Sequence, residues 1–271
     1  MVIFPNAKIN LGLSVLRKRE DGFHDIESIF YPSGLCDILE FIPAENTSQN
    51  DSISYSGLFP VEGKDICLTL TEMLRNSFSF PFLRMHIHKN IPAGAGLGGG
   101  SADAAFLLKS LNEYFTFGLN PLQLEKLSAR IGSDCPFFVR NHPCLVTGKG
   151  ESLQDIELDL KGYYFLLVYP GIHVSTAEAY KEIIPSLRSD DLLDGIRNPV
   201  DQWKYLVTNH FEDPVFRKYP LLADIKKELY RMGAVYASMT GSGSALYGLF
   251  QSEIIIPQQF SNYFIFKEWL K

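Results

Sequence analysis

Glycines are concentrated in one short segment, between a predicted strand and a predicted helix. Five of them lie within the seven residues from Gly94 to Gly100, and Ser101 follows directly. Glycine tolerates positive φ angles and lets backbone N–H groups approach a ligand, and a helix N-terminus adds unpaired N–H groups with partial positive charge. An ordinary tight turn needs only one or two glycines. The segment therefore predicts a cradle for phosphate groups.

The spacing of these glycines excludes the common phosphate-binding loops. No Lys-Ser or Lys-Thr pair follows the last glycine, as a P-loop requires. Gly94, Gly96 and Gly99 satisfy GxGxxG, but no strand ending in an acidic residue follows about 20 positions later, as in a dinucleotide-binding fold. The HRD and DFG motifs of protein kinases are missing as well. A cradle that leads into a helix on a different fold remains.

Ser101 has two interpretations, and the sequence leaves both open. Its hydroxyl can cap the helix that follows the glycines, as serine commonly does. It can also contact a phosphate group, or a Mg²⁺ ion that the phosphate carries.

Three further segments contain residue types that suit phosphoryl transfer. They are Pro5–Leu11 with Lys8 and Asn10, Ile131–Pro136 with Asp134, and Met239–Ala245 with a second glycine turn. Such a transfer needs positioning, charge neutralisation and an acceptor for the hydroxyl proton. Taken singly, Asp134 is typical of a turn or cap, Lys8 of an exposed strand edge, and the glycine turn of a β-hairpin.

In their order and sequence, these four blocks together resemble the GHMP small-molecule kinases. The resemblance covers nearly the whole chain and is carried by the glycine segment with PNAKINLGL, GFHDI and IGSDCPFFV. It implies an α+β fold of two domains, an N-terminal one like ribosomal protein S5 domain 2 and a ferredoxin-like C-terminal one. ATP and substrate would meet in the cleft between them. The implied reaction is phosphorylation by ATP, with Mg²⁺, of the 2-hydroxyl of a cytidyl-diphosphate sugar alcohol in isoprenoid precursor biosynthesis.

The resemblance also assigns roles to individual residues. Asp134 would accept the proton of the attacking hydroxyl, Lys8 would keep that carboxylate ionised and offset phosphoryl charge, and Asn10 would support the hydroxyl. The implied ATP-binding residues are Lys89, Pro92, Gly94, Gly96, Leu97, Gly98, Gly99, Gly100 and Ser101, with Gly241, Ser242 and Gly243 beside them. The implied substrate-binding residues are Asn10, Phe23, His24, Thr176 and Tyr180, with aromatic rings enclosing cytosine. No metal is expected on protein ligands alone, although Ser101 could contact the Mg²⁺ of Mg-ATP.

Four positions depart from the pattern of the family. Ala102 replaces a second serine in the glycine segment, and His210 replaces the usual aspartate after Asn209, whose own segment matches the family. Phe23 stands where a tyrosine is usual, so stacking is retained and the phenolic hydrogen bond is lost. Ile66 stands where an asparagine usually lies near adenine, so adenine recognition must depend on backbone groups, Lys89 or packing. His86 and His88 alternate on a predicted strand, but two ligands are too few for a structural zinc site.

The elements that would position these residues follow from hydrophobic periodicity. It predicts strands at 2–16, 36–43, 83–89 and 163–171, and a strand-turn-strand unit at 235–250. It predicts helices at 65–76, 102–114, 121–131, 176–185, 200–209 and 219–232, and a loop or strand edge at 44–57. Because strands and helices do not alternate strictly, α+β is favoured over a doubly wound sheet. The predicted domains are 1–155 and 156–271.

Composition excludes several functional classes. The 271 residues carry a net charge of −6, which argues against binding to nucleic acid or to an anionic membrane. No segment predicts a signal peptide or a transmembrane helix. The four cysteines lack CxxC spacing and are expected to be reduced thiols, with Cys135 buried rather than reactive. We expect a soluble cytoplasmic protein, a monomer or weak homodimer, whose partner is a small molecule.

Two alternatives stay open on the sequence. One is a related kinase acting on another alcohol, such as mevalonate or homoserine, which would not need Phe23, His24 and Tyr180. The other is a nucleotide-binding protein without turnover, which the joint presence of Lys8, Asn10, Asp134 and both glycine segments disfavours. A cytidine-containing ligand would distinguish the first alternative.

Overall fold

The protein is described by a computed structural model that covers residues 1–45, 48–59, 65–185 and 192–271. In chain order the strands are β1 (Val2–Ile3), β2 (Asn6–Lys18), β3 (His24–Cys36), β4 (Ile38–Pro43), β5 (Ser52–Gly57), β6 (Leu83–Lys89), β7 (Cys144–Thr147), β8 (Ser152–Asp155), β9 (Tyr164–Tyr169), β10 (Tyr236–Met239), β11 (Leu246–Phe250) and β12 (Phe264–Trp269). The helices are α1 (Ile66–Arg75), α2 (Gly99–Tyr114), α3 (Pro121–Ser128), α4 (Cys135–Arg140), α5 (Thr176–Lys181), α6 (Leu192–Arg197), α7 (Trp203–Leu206), α8 (Glu212–Lys218) and α9 (Pro220–Arg231), with 3₁₀ turns at Val200–Gln202 and Gln258–Phe260.

The chain divides into two compact units whose segments interleave along the sequence. Unit 1 contains Met1–Ala7, Leu35–Ala93 and Gly98–His142. Unit 2 contains Lys8–Gly34, Gly94–Leu97 and Pro143–Lys271. Strands β2 and β3 come early in the chain but share a sheet with β7 and β8, which accounts for this interleaving. The division of domains at 155/156 stays a prediction.

Unit 1 combines a four-stranded sheet with helices α1 to α4. The strand order is β1-β4-β6-β5, and β5 runs parallel to β6 while the other pairs are antiparallel. Alternate residues of β4 and β6, including Leu39, Phe41, Met85 and Ile87, are buried, as period-2 patterning requires. Helix α1 buries Cys67, Leu70, Thr71 and Leu74 along one face and packs against α2.

Unit 2 contains two further four-stranded sheets, β2-β3-β7-β8 and β10-β11-β9-β12. Strand β9 lies inside the second sheet, and its residues from Tyr164 to Val168 are all buried. Helix α9 packs on this sheet with Leu222, Ile225 and Leu229 in the core. The apolar run that predicted β9 therefore reflects burial on both faces.

Most predicted elements are present, and the mixture of sheets and helices confirms the α+β class. Several bounds were wrong. Helix α2 begins three residues before the predicted start, at Gly99, because Gly98 supplies the non-helical cap at φ 73°. The predicted strand 2–16 is broken into β1 and β2, and Pro5 lies at the break. Pro185 disfavours helical geometry at the residue before it, and α5 ends at Lys181 rather than near 185.

Other differences concern the middle of the chain. The predicted helix 121–131 ends at Ser128, and the predicted helix 200–209 is a 3₁₀ turn followed by the short α7. The polar segment 44–57 contains β5, an edge strand of the sheet, and residues 46–47 of that segment lie outside the described residues. Across the described part of the chain, no helix combines the length and the apolar character that a bilayer crossing needs.

Helix α3 offers a clean test of local stability. The Asn120 side chain accepts from the Gln123 amide at 3.0 Å, and the Gln123 side chain accepts from the Asn120 amide at 2.9 Å. Asn120→Ala removes this capping box, so we expect the free energy of unfolding to fall by about 1 kcal/mol in urea denaturation. Asn120→Asp keeps an acceptor oxygen and should be close to the wild type. Equal losses in both variants would contradict a role for the cap.

Candidate functional site

The glycine segment joins β6 to α2 and has the backbone of an anion cradle. Gly94, Gly96 and Gly98 have φ angles of +66°, +80° and +73°. Within the described residues, no side chain caps the N-terminus of α2, and its first turn carries no acidic residue. The first amides of a helix have no partner inside it, so their dipoles suit the phosphates of ATP. A Cβ at Gly100 would meet only Ile66, at 3.8 Å.

Ser101 does not cap α2, so the capping interpretation is wrong. Gly98 occupies the cap position, which places Ser101 third in the helix. Its hydroxyl hydrogen-bonds the thiol of Cys135. The possible contact of Ser101 with phosphate or Mg²⁺ remains a prediction.

The second glycine turn lies directly against the first within unit 2. It connects β10 and β11, which pair as an antiparallel hairpin. The Ala245 amide donates to the Ala95 carbonyl at 3.2 Å, and the Thr240 hydroxyl donates to the Gly96 carbonyl at 3.0 Å. A Cβ on Gly96 would overlap the carbonyl oxygen of Thr240. Only glycine therefore permits this approach of the two backbones.

Lys8 and Asn10 are buried at the start of β2 and are joined to this turn. Lys8 is 3% exposed, so it is not an exposed strand-edge charge. Its Nζ donates to Asn10 Oδ1 at 2.6 Å and lies 4.4 Å from the ring centroid of Phe30. Asn10 donates from its backbone to the Thr240 hydroxyl at 3.1 Å and from Nδ2 to Ser28 Oγ at 2.8 Å. The Asn10 side chain thus orients the ammonium group of Lys8.

Two buried residues of the segment 209–212 hold the second glycine turn in place. Asn209 Nδ2 donates to the carbonyls of Met239 and Gly241, both at 2.8 Å. Glu212 accepts from the Met239 amide at 2.9 Å and from Lys226 at 2.5 Å. Buried carbonyls and carboxylates are costly without partners. These bonds therefore fix the geometry of the turn.

The predicted residues for the cytosine base are partly brought together. The rings of His24 and Tyr180 stack on each other with centroids 4.8 Å apart and planes at 21°. No base fits between two rings at that distance. Phe23 is 59% exposed, with Lys149 Nζ 4.8 Å from its ring centroid. Phe23 is thus the ring with surface available for stacking.

Polar groups adjoin these rings. The Thr176 hydroxyl lies 3.0 Å from that of Ser242, which connects α5 to the second glycine turn. Burial, and then the charge of Lys18, lowers the pKa of His24. A neutral imidazole has one donor and one acceptor nitrogen, as recognition of a cytosine edge requires.

Asp134 lies at the N-cap of α4 in unit 1 and is half-buried. Its side chain makes no capping hydrogen bond to any residue that the structure describes, so the simple cap interpretation does not account for it. Burial raises the pKa of the neighbouring Cys135 thiol to about 12. Cys135 is fully buried, which confirms the predicted burial, and the raised pKa disfavours the reactive thiolate.

Lys89 lies in a buried ionic cluster in unit 1 and is only 4% exposed. Its Nζ contacts the Asp37 carboxylate and lies 2.6 Å from Asp103 Oδ2. Burial lowers the pKa of Lys89, but the two carboxylates raise it further, and the net shift is upward. The predicted contact of Lys89 with adenine remains a prediction.

Burial raises the pKa of Asp103 to about 8. Lys89 opposes the rise, while Asp37 and Asp65 add to it. Burial raises the pKa values of the Cys67 thiol and the Tyr55 hydroxyl, and the charge of Asp103 adds to both shifts.

Sequence reasoning missed four buried polar residues that position the candidate residues: Ser28 and Thr240 in unit 2, and Asp37 and Asp103 in unit 1. Asp103 lies just after the first glycine segment, and Thr240 lies in the second glycine turn. Their positions in the sequence could therefore have marked them as candidate residues. Asn209 was not missed, because its segment 208–212 resembles the family. Asp37 and Ser28 have no such signal, because only the folded chain places them beside their partners.

Comparison with known proteins agrees with the resemblance. The model of the GHMP kinase N-terminal domain matches residues 65–142, and that of the GHMP kinase C-terminal domain matches residues 193–258. A 4-diphosphocytidyl-2-C-methyl-D-erythritol kinase of Bacteroides thetaiotaomicron is 44% identical over 98% of this chain and 99% of its own length. This chain belongs to the GHMP kinase family. A second GHMP kinase of the same name, from Azobacteroides pseudotrichonymphae, is 47% identical over 93% of this chain and 94% of its own length.

Solved GHMP kinase structures share the fold. A crystal structure of 4-(cytidine 5'-diphospho)-2C-methyl-D-erythritol kinase is 29% identical with a TM-score of 0.75, covering 92% of this chain and 90% of the other. The mevalonate kinase of Methanococcus jannaschii has a TM-score of 0.68 at 15% identity, covering 98% and 97%. The two-domain GHMP kinase fold predicted from the sequence is confirmed.

The raised pKa of Asp103 predicts a pH dependence of stability. The pKa rises from the ordinary 3.8 to about 8 on folding. The stabilisation from the protonated group is complete below about pH 4 and is lost as the pH rises through about 8. In Asp103→Asn this dependence should vanish. The free energy of unfolding of the wild type relative to the variant should therefore fall between about pH 5 and pH 8 in urea denaturation. Parallel pH profiles for the two proteins would show that Asp103 does not titrate in this range.

Proposed function

We propose that this chain catalyses ATP-dependent phosphorylation of the 2-hydroxyl of 4-diphosphocytidyl-2-C-methyl-D-erythritol, giving the 2-phosphate and ADP. The reaction belongs to the non-mevalonate route of isoprenoid precursor biosynthesis. The observation that carries the proposal is the buried network in which Thr240 joins Asn10, and through it Lys8, to the Gly96 carbonyl. Through this network the ammonium group of Lys8 is connected to the backbone of the glycine segment, which supports a shared role in phosphoryl transfer. The name of the relatives at 44% and 47% identity supports the same substrate.

Individual residues would divide the work of the reaction. Bound ATP supplies the phosphoryl group, and the amides of Gly98 to Ser101 at the helix start would bind its phosphates. Lys8 would neutralise charge on the transferred group, and Asp134 would hold the substrate hydroxyl and accept its proton. Asn10 would keep Lys8 oriented through its 2.6 Å hydrogen bond. Mg²⁺ would accompany ATP, with Ser101 as a candidate contact.

Recognition of the substrate would depend on the aromatic residues near α5. Phe23 would stack on cytosine, and His24 would form hydrogen bonds with the edge of the base while neutral. Because the His24 and Tyr180 rings lie 4.8 Å apart, Tyr180 would stack on the base only after they separate. Thr176, Gly241, Ser242 and Gly243 would bind the diphosphate side of the substrate.

The cellular setting follows the same proposal. A net charge of −6 disfavours nucleic acid and anionic membranes as partners. We propose that the enzyme acts in the cytoplasm on a small-molecule substrate, as a monomer or weak homodimer.

The direct test is release of ADP from Mg-ATP by the purified protein. The acceptor alcohols are 4-diphosphocytidyl-2-C-methyl-D-erythritol, mevalonate and homoserine, each in a separate reaction. Turnover with the cytidyl compound alone supports the proposal. Turnover with another alcohol would overturn the substrate assignment, and no turnover with any of them would favour a binding protein.

Asp134→Ala tests the proposed base. We expect kcat to fall by a factor of at least about 10², since general bases contribute about 10²–10⁴. Binding of Mg-ATP, measured by calorimetry, should remain close to that of the wild type. Asp224, 66% exposed on α9, provides a control, and Asp224→Ala should leave kcat unchanged. Near-normal turnover by Asp134→Ala would rule out this role.

Phe23→Ala tests the proposed stacking on cytosine. Loss of the ring should raise KM for the cytidyl substrate roughly tenfold, because stacking of a base on an aromatic ring contributes about 1–3 kcal/mol. The kcat and the KM for ATP should change little, since the ring lies far from the reacting hydroxyl. Tyr205 is 75% exposed, and Tyr205→Ala is the matched control. An unchanged KM in Phe23→Ala would reject the stacking role.

A further inference from the structure

Lys89 is the last residue of β6, and residues 90–93 separate it from the glycine segment. Its side chain is buried rather than directed into solvent, with 4% exposure. The ammonium group lies between two buried carboxyl groups, those of Asp37 and Asp103. The ammonium group has three N–H donors, two of which bond to these carboxyl groups, and its burial leaves little surface for a ligand. The cluster therefore points to a structural task for Lys89.

Asp37 fixes the chain just before the glycine segment. Its Oδ1 accepts from the Asn90 amide at 2.6 Å and from the Ile91 amide at 2.8 Å. Asn90 Nδ2 donates to the Cys36 carbonyl at 3.1 Å. The loop between β3 and β4 thus holds the residues that precede Pro92. Hydrogen bonds to an ionised acceptor are stronger than neutral ones.

Asp103 fixes the chain just after the glycine segment. It is the fifth residue of α2 and receives a hydrogen bond of 2.6 Å from Lys89 Nζ. Lys89 therefore connects the end of β6 to the start of α2 across the segment 90–98. The two ends of the glycine-rich loop are joined by a single ammonium group.

The energetics favour a positioning role over a contribution to stability. Desolvation of ions usually offsets the attraction within a buried pair, so apolar residues often stabilise a core at least as well. Asp103 is also left with Oδ1 unpartnered among the described residues. Hydrogen bonds to charged groups have a defined direction, which apolar packing does not provide. Directional bonds suit the glycine-rich loop, because its amides must point toward the phosphates of a bound nucleotide.

We propose that Asp37, Lys89 and Asp103 form an ionic clamp that fixes both ends of the glycine-rich loop and so presents its amides to the phosphates of ATP. The part concerning ATP rests on the proposed function. The three side chains are positioning residues, and Lys89 acts on ATP through the geometry of the loop.

Hydrogen exchange tests the clamp in the free protein, without nucleotide. In Asp103→Ala, amides of the segment 91–101 should exchange faster by on the order of tenfold, because the bond to a charged group is lost. Asp103→Asn keeps an oxygen acceptor for Lys89 and should restore exchange to within about threefold of the wild type. The Kd for ATP, measured by calorimetry, should rise in parallel with exchange.

Asp51 provides a matched control at the opposite end of the same strand. Its carboxylate accepts from the Leu83 amide at 2.7 Å and from Arg75 at 2.5 Å, which anchors the start of β6. Asp51→Ala should cost stability without changing exchange of 91–101 or the Kd for ATP. If Asp103→Ala does not fold, Lys89→Gln replaces it, because a neutral amide does not hold two carboxylates.

Each result decides the proposal. Faster exchange in Asp103→Ala and not in Asp51→Ala supports the clamp. Unchanged exchange of 91–101, or an equal effect of Asp51→Ala, would overturn it. If the wild type binds no ATP while the exchange pattern holds, the proposed function fails and the clamp stands.

Discussion

The close approach of two backbones in unit 2 is the constraint on which the rest of the candidate site depends. The glycine segment and the turn between β10 and β11 meet where Gly96 faces the Thr240 carbonyl, with no room for a Cβ. Hydrogen bonds from Thr240 and Ala245 to the segment then keep the two turns together. Because turns are mobile unless their backbone groups are satisfied, this contact converts two flexible glycine runs into one defined surface.

Buried polar side chains connect the two turns to the charged side chain of Lys8 and fix its position. Asn10 links Lys8 to Thr240, and Asn209 holds the carbonyls on either side of Thr240. Each of these groups is nearly inaccessible to water and would be costly without its partners. The network is therefore mutually dependent, and the amide oxygen of Asn10 is one of the groups that stabilise the buried ammonium group of Lys8 in unit 2.

In unit 1, a buried ionic cluster lies at the end of β6, the strand that precedes the glycine segment. There, Lys89 is shared between Asp37 and Asp103, and burial raises the pKa of Asp103 to about 8. An arrangement with more carboxyls than ammonium groups is poorly suited to stabilise a core. Its directional bonds instead specify where β6 ends and where α2 begins, and a cradle made of backbone amides requires that geometry.

The amino-acid sequence by itself determined the class of the fold and the location of both glycine turns. Period-2 runs such as 83–89, helical periodicity at 65–76 and five glycines in seven residues are local signals. Lys8, Asn10 and Asp134 could be predicted as candidate residues because each lies within a short sequence motif. The start of α2 was misplaced because residues 99 and 100 are glycines, which have low helix propensity that tertiary packing overrides.

Only the tertiary structure decided which partners these residues have. Asp37 lies 52 residues from Lys89 in the sequence, and Thr240 lies 230 residues from Asn10, so no local pattern reports either contact. The stacking of His24 on Tyr180, and the burial of Lys8 and Lys89, depend likewise on how distant strands and helices pack. Sequence patterns record the preferences of neighbouring residues, whereas burial and hydrogen-bond partners are set by long-range contacts that form only when the chain is folded.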